Sequence, residues 1–372
     1  MKKKILSYLL KTLLPAGGIV LSVFFSFNVL GCGSTVSGLN MLGGDFSLPR
    51  IEAFKLEESD LLQMKFSRNV NICQMSVIQD PGLEEKSEAI DCSCQIDEDG
   101  QVKIKLNKEM IPGRKYQLDG TVKDEKNNIL SFSLPFKGYN SRIPKLIISE
   151  VRNAYGYSTV KKVKHYKTEF IELFVLEDGN LAGVKIISAL DGEEKAYYCP
   201  AVEVKAGSYV TIHMRTISKD KIKDEIIKDE TDGNLNSSYS QDTSSSAVDL
   251  WSENETAVFG VSDVIAVINT QTSLPMDALL YESREKAFDN YSSLAETVNS
   301  AEIWEGEPFD ASNVASTAVT RSISRQNVKV IYSDFKAGKY PDGKIPVRAE
   351  DYVVVKTVTP GAPNSSEAYV KK

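Results

Sequence analysis

Histidine is scarce in this chain. Its 372 residues hold two, His165 and His213, far apart in sequence. That scarcity removes most histidine-based metal and triad chemistry, since neither residue has a local Asp or Ser arrangement of the catalytic kind. No Gly-rich phosphate loop, G-x-S-x-G elbow or H-E-x-x-H helix is written anywhere. Tryptophan is equally rare, at two, and Trp251 and Trp304, both in polar stretches, are candidates for a glycan or protein contact. Basic residues are in deficit, 44 against 51 acids. Lys2, Lys3, Lys4 and Lys11 carry all the charge of the first 31 residues, so the rest holds 40 bases against 51 acids, a net −11. An acidic body of this kind argues against a general electrostatic grip on nucleic acid or anionic lipid.

What is present begins with that basic start. Leu13 to Gly31 is almost wholly apolar and uncharged, giving the basic and hydrophobic regions of an export signal. It ends Val29-Leu30-Gly31-Cys32, which resembles a bacterial lipobox. The resemblance implies a signal peptide over 1–31, lipidation of Cys32 and membrane attachment through its acyl chains. At about 0.8 kcal/mol per buried methylene, two or three chains are a lasting anchor. Gly33-Ser34-Thr35-Val36-Ser37-Gly38 opens a flexible tether over 32–48. The expected location is the bacterial cell envelope, with the outer membrane or cell surface favoured.

Beyond the tether the patterning has period two. Leu62, Met64 and Phe66 alternate with polar residues, as do Val102, Ile104 and Leu106 with Lys103 and Lys105. Short strands at this spacing predict an all-β fold built from antiparallel sandwiches. Asp97-Glu98-Asp99-Gly100 reads as a hairpin turn, because the downstream ligands of a calcium loop are missing. In the second half, Ile171, Leu173 and Val175 are expected to face a core, with Phe170, Glu172 and Phe174 on the other side. Val210, Ile212 and Met214 alternate with Thr211, His213 and Arg215, which places His213 on an exposed face.

Two resemblances organise these strands. Phe66-Ser67-Arg68-Asn69-Val70, Gly113-Arg114-Lys115-Tyr116-Gln117-Leu118 and Val122-Lys123-Asp124 resemble a bacterial Ig-like domain over 49–140. That implies a spacer module without an active site. Ser149-Glu150-Val151, Glu169-Phe170-Ile171-Glu172-Leu173, Leu181-Ala182-Gly183-Val184 and Thr359-Pro360-Gly361-Ala362-Pro363-Asn364 resemble a lamin tail domain (LTD) over 144–366. Val175 and Val184 depart from the family's usual Asn and Trp, and 367–372 form a tail. The fold class expected is therefore two Ig-like β-sandwich modules in tandem after a lipoprotein signal peptide. Insertions are expected at about 216–262 and 281–319. Within the first, Lys219 to Glu230 has a helical spacing of isoleucines and Asp232 to Ser246 reads as a disordered loop. The second reads as a helix covering a sheet edge.

Few residues are left for chemistry. In an oxidising compartment Cys73 is expected to bridge to Cys92 or Cys94, with Cys199 free or paired across modules. A metal site is a poor rival, and no cofactor is expected. Glu150, Glu169 and Glu172 look like acid–base carboxylates, but in the resembled family they bond backbone amides and cap loops. Lys161, Lys162, Lys164, His165 and Lys167 form a basic stretch, read first as a solvated hairpin tip and second as a polyanion or DNA contact. The function expected is non-enzymatic: an envelope lipoprotein whose lamin-tail sandwich binds a protein or polysaccharide partner. The rival is an enzyme, or an enzyme's accessory chain, acting on nucleic acid or phosphoesters at the envelope.

Overall fold

The computed structural model describes residues 47–80, 87–217, 242, 244, 247–283, 292–307, 310–314 and 318–370. The leader, Cys32 and nearly all of the tether lie outside the described residues, as do 218–241 of the first insertion. Among the described residues, no helix is long and apolar enough to cross a membrane.

The first module is a sandwich of two four-stranded antiparallel sheets. One holds β1 (Ile51–Glu58), β2 (Leu61–Phe66), β6 (Val102–Leu106) and β5 (Cys92–Ile96) in that order. The other holds β4 (Glu88–Ile90), β3 (Val70–Gln79), β7 (Lys115–Asp124) and β8 (Ile129–Lys137). The alternation read from the sequence sets which side chains enter. Leu62, Met64, Val102, Ile104, Leu118 and Val122 are completely buried between the sheets. Each stabilises the fold by roughly 1.5–3 kcal/mol relative to remaining in water. Asp97 makes the β5–β6 turn as expected, its carboxylate accepting from the Asp99 and Gln101 amides at 3.1 and 2.9 Å.

The second module is a larger sandwich. Its six-stranded sheet runs β18 (Val248–Trp251), β17 (Tyr209–His213), β12 (Phe170–Val175), β9 (Leu146–Arg152), β22 (Ser322–Arg325) and β23 (Tyr352–Val355). Its five-stranded sheet runs β15 (Tyr197–Tyr198), β14 (Val184–Ser188), β19 (Asp263–Asn269), β20 (Leu274–Glu282) and β21 (Ser312–Asn313). Two ribbons stand apart: β10 (Gly156–Val160) with β11 (Val163–Lys167), and β13 (Gly179–Asn180) with β16 (Glu203–Val204). Leu146, Ile148, Ile171, Leu173 and Ile212 meet Val184, Ile186, Ile265 and Val267 in one core. The expected covering helix is α1 (Ser292–Ser300), whose Ala295 and Val298 join that core beside β19 and β20. A buried ion pair ties the layers together, Arg325 on β22 to Asp277 on β20 at 3.2 Å.

The six-stranded sheet is covered on its second face as well. At one end α2 (Val328–Lys336) sets Val328 and Ile331 against Ile147, Phe174 and Leu176. In the middle lies the segment 359–364. At the other end Trp251, Ile217 and Tyr166 form a small cluster. This double cover explains why every residue of β9 and β12 is buried.

The modules are joined by hydrogen bonds at the linker. Asn140 donates its side-chain amide to the carbonyls of Asn180 and Ala182, both at 2.7 Å. Its backbone exchanges two bonds with Gln271. Gly113, with φ +70°, faces Ala182, and a Cβ there would lie 2.9 Å from the alanine methyl.

Candidate functional site

The Lys161–Lys167 stretch is the tip and return strand of a projecting hairpin. β10 and β11 pair from Gly156↔Lys167 to Val160↔Val163, so Lys161 and Lys162 are the whole turn. Both are left-handed, with φ +48° and +69°. That is the geometry of the tight hairpin turn that Asn-Gly fills without strain. Lysine there costs about 1–2 kcal/mol per residue. Such strain persists only where the surroundings fix it. Lys161, Lys162 and Lys164 are exposed, and Lys167 and His165 are half-buried. Lys164 lies over the Tyr157 ring, 4.4 Å from its centre. Val160 and Val163, beside the turn, are 47% and 43% exposed, and Tyr157, three residues back on the other face, is 52% exposed.

Below the finger is a buried polar base, and here the structure corrects the sequence reading. His213 is completely buried, not exposed. The face it shares with Phe170, Glu172 and Thr211 is sealed by segments distant in sequence. Its Nε2 meets Asp249 Oδ1 at 2.9 Å and its Nδ1 meets the Thr168 hydroxyl at 2.8 Å. The Asp249 carboxylate, which can only accept, receives the Nε2–H, and Nδ1 shares its hydrogen bond with the Thr168 hydroxyl. Trp251 stacks on the imidazole at 3.7 Å and donates Nε1–H to the other Asp249 oxygen at 2.9 Å. Trp251 is therefore part of the base, and no surface contact. Trp304 is also buried, donating to the Asp310 carbonyl at 2.9 Å.

This arrangement clamps both legs of the hairpin. Arg152, at the end of β9 on the incoming side, is completely buried and donates through Nε to the Thr168 carbonyl at 2.8 Å on the outgoing side. It also pairs with Asp242 and lies over Phe170, 5.0 Å from the ring centre. Thr168 thus receives Arg152 on its carbonyl and gives its hydroxyl to His213. Tyr166 packs on Trp251 and Ile217 just above. The Thr168–His213–Asp249 chain has the connectivity of a catalytic relay, but its Thr168 hydroxyl is completely buried. Within the fold it fixes the orientation of Thr168.

The paired glutamates are also structural. Glu150 and Glu172 are opposite each other on β9 and β12. Glu150 accepts from the Thr359 amide and hydroxyl, each at 3.1 Å, and from the Ser322 hydroxyl. Glu172 accepts from the Gly361 amide, and Glu169 from the Val258 amide at 2.9 Å. Asn364 donates to the carbonyls of Ser149 and Arg325, both at 2.8 Å. The expectation that these glutamates bond loop amides holds. Burial pushes both carboxyls upward, and the Glu150 charge lifts Glu172 further, well above the usual range.

The expected Cys73 bridge to Cys92 or Cys94 is not formed. None of Cys73, Cys92, Cys94 and Cys199 is in a disulfide. Cys73 is exposed where the β3–β7 register shifts, whereas Cys92 and Cys94 turn inward from β5 against the first core. Cys199 is buried in the second core. Among the described residues no cluster of His, Cys, Asp and Glu is grouped to hold a metal.

Fold and site together define a tandem all-β protein whose second sandwich carries a clamped basic hairpin. Residues 144–354 match the family model TP_1001_2nd, described as a protein second domain, and the chain belongs to that family. It is 31% identical over 170 residues to a protein of Treponema pallidum (strain Nichols) described as uncharacterized, covering 45% of this chain. The chain spans 39% of that relative's length. Among solved structures it is similar to a DUF4876 family protein from Bacteroides thetaiotaomicron VPI-5482, at 12% identity and TM-score 0.29, over 69% of this chain and 83% of that one. It is also similar to the N-terminal part of the bacterial S-layer protein SbsC, at 13% identity and TM-score 0.23, over 44% and 40%.

Proposed function

We propose that this chain is a non-enzymatic lipoprotein of the cell envelope, anchored through Cys32, whose second sandwich binds a protein or polysaccharide partner. The first sandwich is its spacer. One observation carries the reading: the polar groups of the second module are divided between a buried set that builds and an exposed set that presents. Glu150, Glu172, His213 and Asp249 spend their hydrogen bonds on the segment 359–364, on Thr168 and on Trp251. The hairpin is the exposed set. The alternative, an enzyme or an enzyme's accessory chain, has Glu172 and His165 as its candidate residues, and they sit in the sheet's covered face and on the projecting ribbon respectively. The lamin-tail reading is supported by the use made of Thr359, Gly361 and Asn364, each bonded into a strand of the sheet.

Two experiments test this proposal. Growth with an alkyne-tagged fatty acid is expected to label the wild-type chain and not Cys32→Ala. Protease added to intact cells is expected to digest the surface-held protein. Label that survives Cys32→Ala, or a phosphodiesterase activity lost in Glu172→Gln, refutes the reading.

A further inference from the structure

We propose that the β10–β11 hairpin is a membrane-docking finger that inserts its tip into an anionic lipid surface. The tip combines two chemistries that a bilayer interface uses together. Lys161, Lys162 and Lys164 are exposed, and among the described residues none of them, nor Lys167, is in an ion pair. The body outside the leader carries a net −11, so this basic tip is a local exception to a charge that would otherwise repel an anionic surface. Val160 and Val163, roughly half exposed, flank the two turn lysines, and Tyr157 lies three residues farther down β10 on the other face.

A soluble polyanion would meet the lysines and leave the valines in water. A bilayer takes both: the long stems of Lys161 and Lys162 let their ammonium groups reach back to the phosphates while the Val160 and Val163 side chains beside the turn enter the acyl edge. The base supplies what insertion requires, a finger that does not fold away. Arg152 and His213 hold Thr168 from two sides, and Tyr166 is buried on Trp251 and Ile217. The left-handed pair at the tip keeps both lysines on a two-residue turn instead of a wider loop. This inference stands apart from the lipid on Cys32, because it concerns a second contact made by the folded body.

The test reads the hairpin alone. Both native tryptophans are buried, so a Val160→Trp reporter in the full chain adds one solvent-facing fluorophore. The full chain is added to vesicles of pure phosphatidylcholine or of phosphatidylcholine with 30% phosphatidylglycerol (both proportions set by the assay, about one anionic lipid in three). The expected result is a blue shift and quenching by brominated acyl chains on the anionic vesicles only, reversed by high salt. A lysine near an anionic surface is worth about fivefold in partitioning. Lys161→Gln with Lys162→Gln in the reporter background should therefore weaken insertion about 30-fold. Val163→Ser, with all lysines kept, should weaken it while preserving the salt dependence, and unchanged native emission in the parent chain verifies folding.

A reporter that remains open to aqueous iodide on anionic vesicles overturns the proposal, as does insertion indifferent to the lysine pair. Long-chain polyphosphate is the third arm. If it binds with the same lysine dependence while brominated lipids never quench the reporter, the finger is a contact for a soluble polyanion and the docking proposal fails.

Discussion

Replacing Glu172 by Gln should make the second module more stable at alkaline pH while changing little in acid. Glu172 is completely buried beside Glu150, its cross-strand partner. Burial and the neighbouring carboxylate hold its carboxyl well above the usual range. Opposed residues on paired strands place their side-chain roots about 5.5 Å apart. Two full charges at that distance, at an effective dielectric of 20, repel by about 3 kcal/mol. Retaining a proton avoids that repulsion. The Gly361 amide occupies Oε2, so the proton belongs on Oε1.

The folded chain therefore binds a proton that the unfolded chain releases. The associated stability is complete below the unfolded carboxyl range, near pH 4.3, and is lost as pH rises toward the folded value. The slope is about 1.4 kcal/mol per pH unit for each such proton. Glu172→Gln keeps the acceptor for Gly361 and removes the proton. Urea unfolding from pH 5 to 9, followed by tryptophan emission, reads the second module alone, since Trp251 and Trp304 both lie in it. The mutant-minus-wild-type stability should climb with pH at up to that slope; the distant Asp263 cancels in the difference, and Glu150 enters only through its coupling to Glu172. Parallel curves would show that Glu172 is ionised throughout, and the reasoning would fail.

Further outcomes follow from other sites. Burial pushes the Asp263 carboxyl up to about 6, so the stability it lends is full below about pH 3.9 and lost through pH 6, about 3 kcal/mol in all. Asp263→Asn should flatten the stability profile across that window by this amount. Among Cys73, Cys92, Cys94 and Cys199, Cys73 should react first with a thiol reagent at pH 7.5. Cys94, pushed up to about 11 by burial, should wait for unfolding, and equal rates would contradict the packing of β5. Gly113→Val places a side chain on Ala182 at a left-handed position. It should cost about 1–3 kcal/mol, measurable as a lower urea midpoint with no change in slope. Arg152→Met leaves Asp242 buried without its partner, which should cost about 3–5 kcal/mol and speed amide exchange in β10 and β11.

The first sandwich was legible because one face of each sheet is in water. Lys103 and Lys105 point out while Val102, Ile104 and Leu106 point in, and period two is then a direct record of burial. In the second sandwich that record breaks down. Opposite the core on β12 and β17, Phe170, Glu172, Phe174, Thr211 and His213 are all buried, and Tyr209 is partly so. Three covering segments, from β18, α2 and 359–364, come from 35 to about 190 residues away, and no local window contains them. A signal was nonetheless present. Phe170 and Phe174 flank Glu172 on the supposed outer face, and two large aromatic rings are poor candidates for a wet surface. Read with Trp251, they mark the covered end of the sheet and would have moved His213 inside. The hairpin was legible as a tip but not in its turn, because Lys161-Lys162 carries none of the usual Gly or Asn of a left-handed pair.

Where α2 covers the sheet the contact is apolar, but the segment 359–364 and the hairpin end are attached by hydrogen bonds to named positions, and this determines what the face can do. An apolar seal would exclude water equally well, but a strand or tail lying on oil can shift by one residue at small cost. Thr359 on Glu150, Gly361 on Glu172 and Asn364 on two carbonyls admit one register, since a slip leaves several buried polar groups unpaired at about 1–3 kcal/mol each. The same holds at the hairpin end. Thr168 has its carbonyl on Arg152 and its hydroxyl on His213, and His213 is itself fixed by Asp249 and Trp251. Fixing one residue in this way fixes the direction of β11 and, through its five-pair ladder with β10, the position of the lysines at the tip. The buried polar set and the exposed basic set are thus one device: the first spends stability on geometry, and the second is where that geometry is displayed.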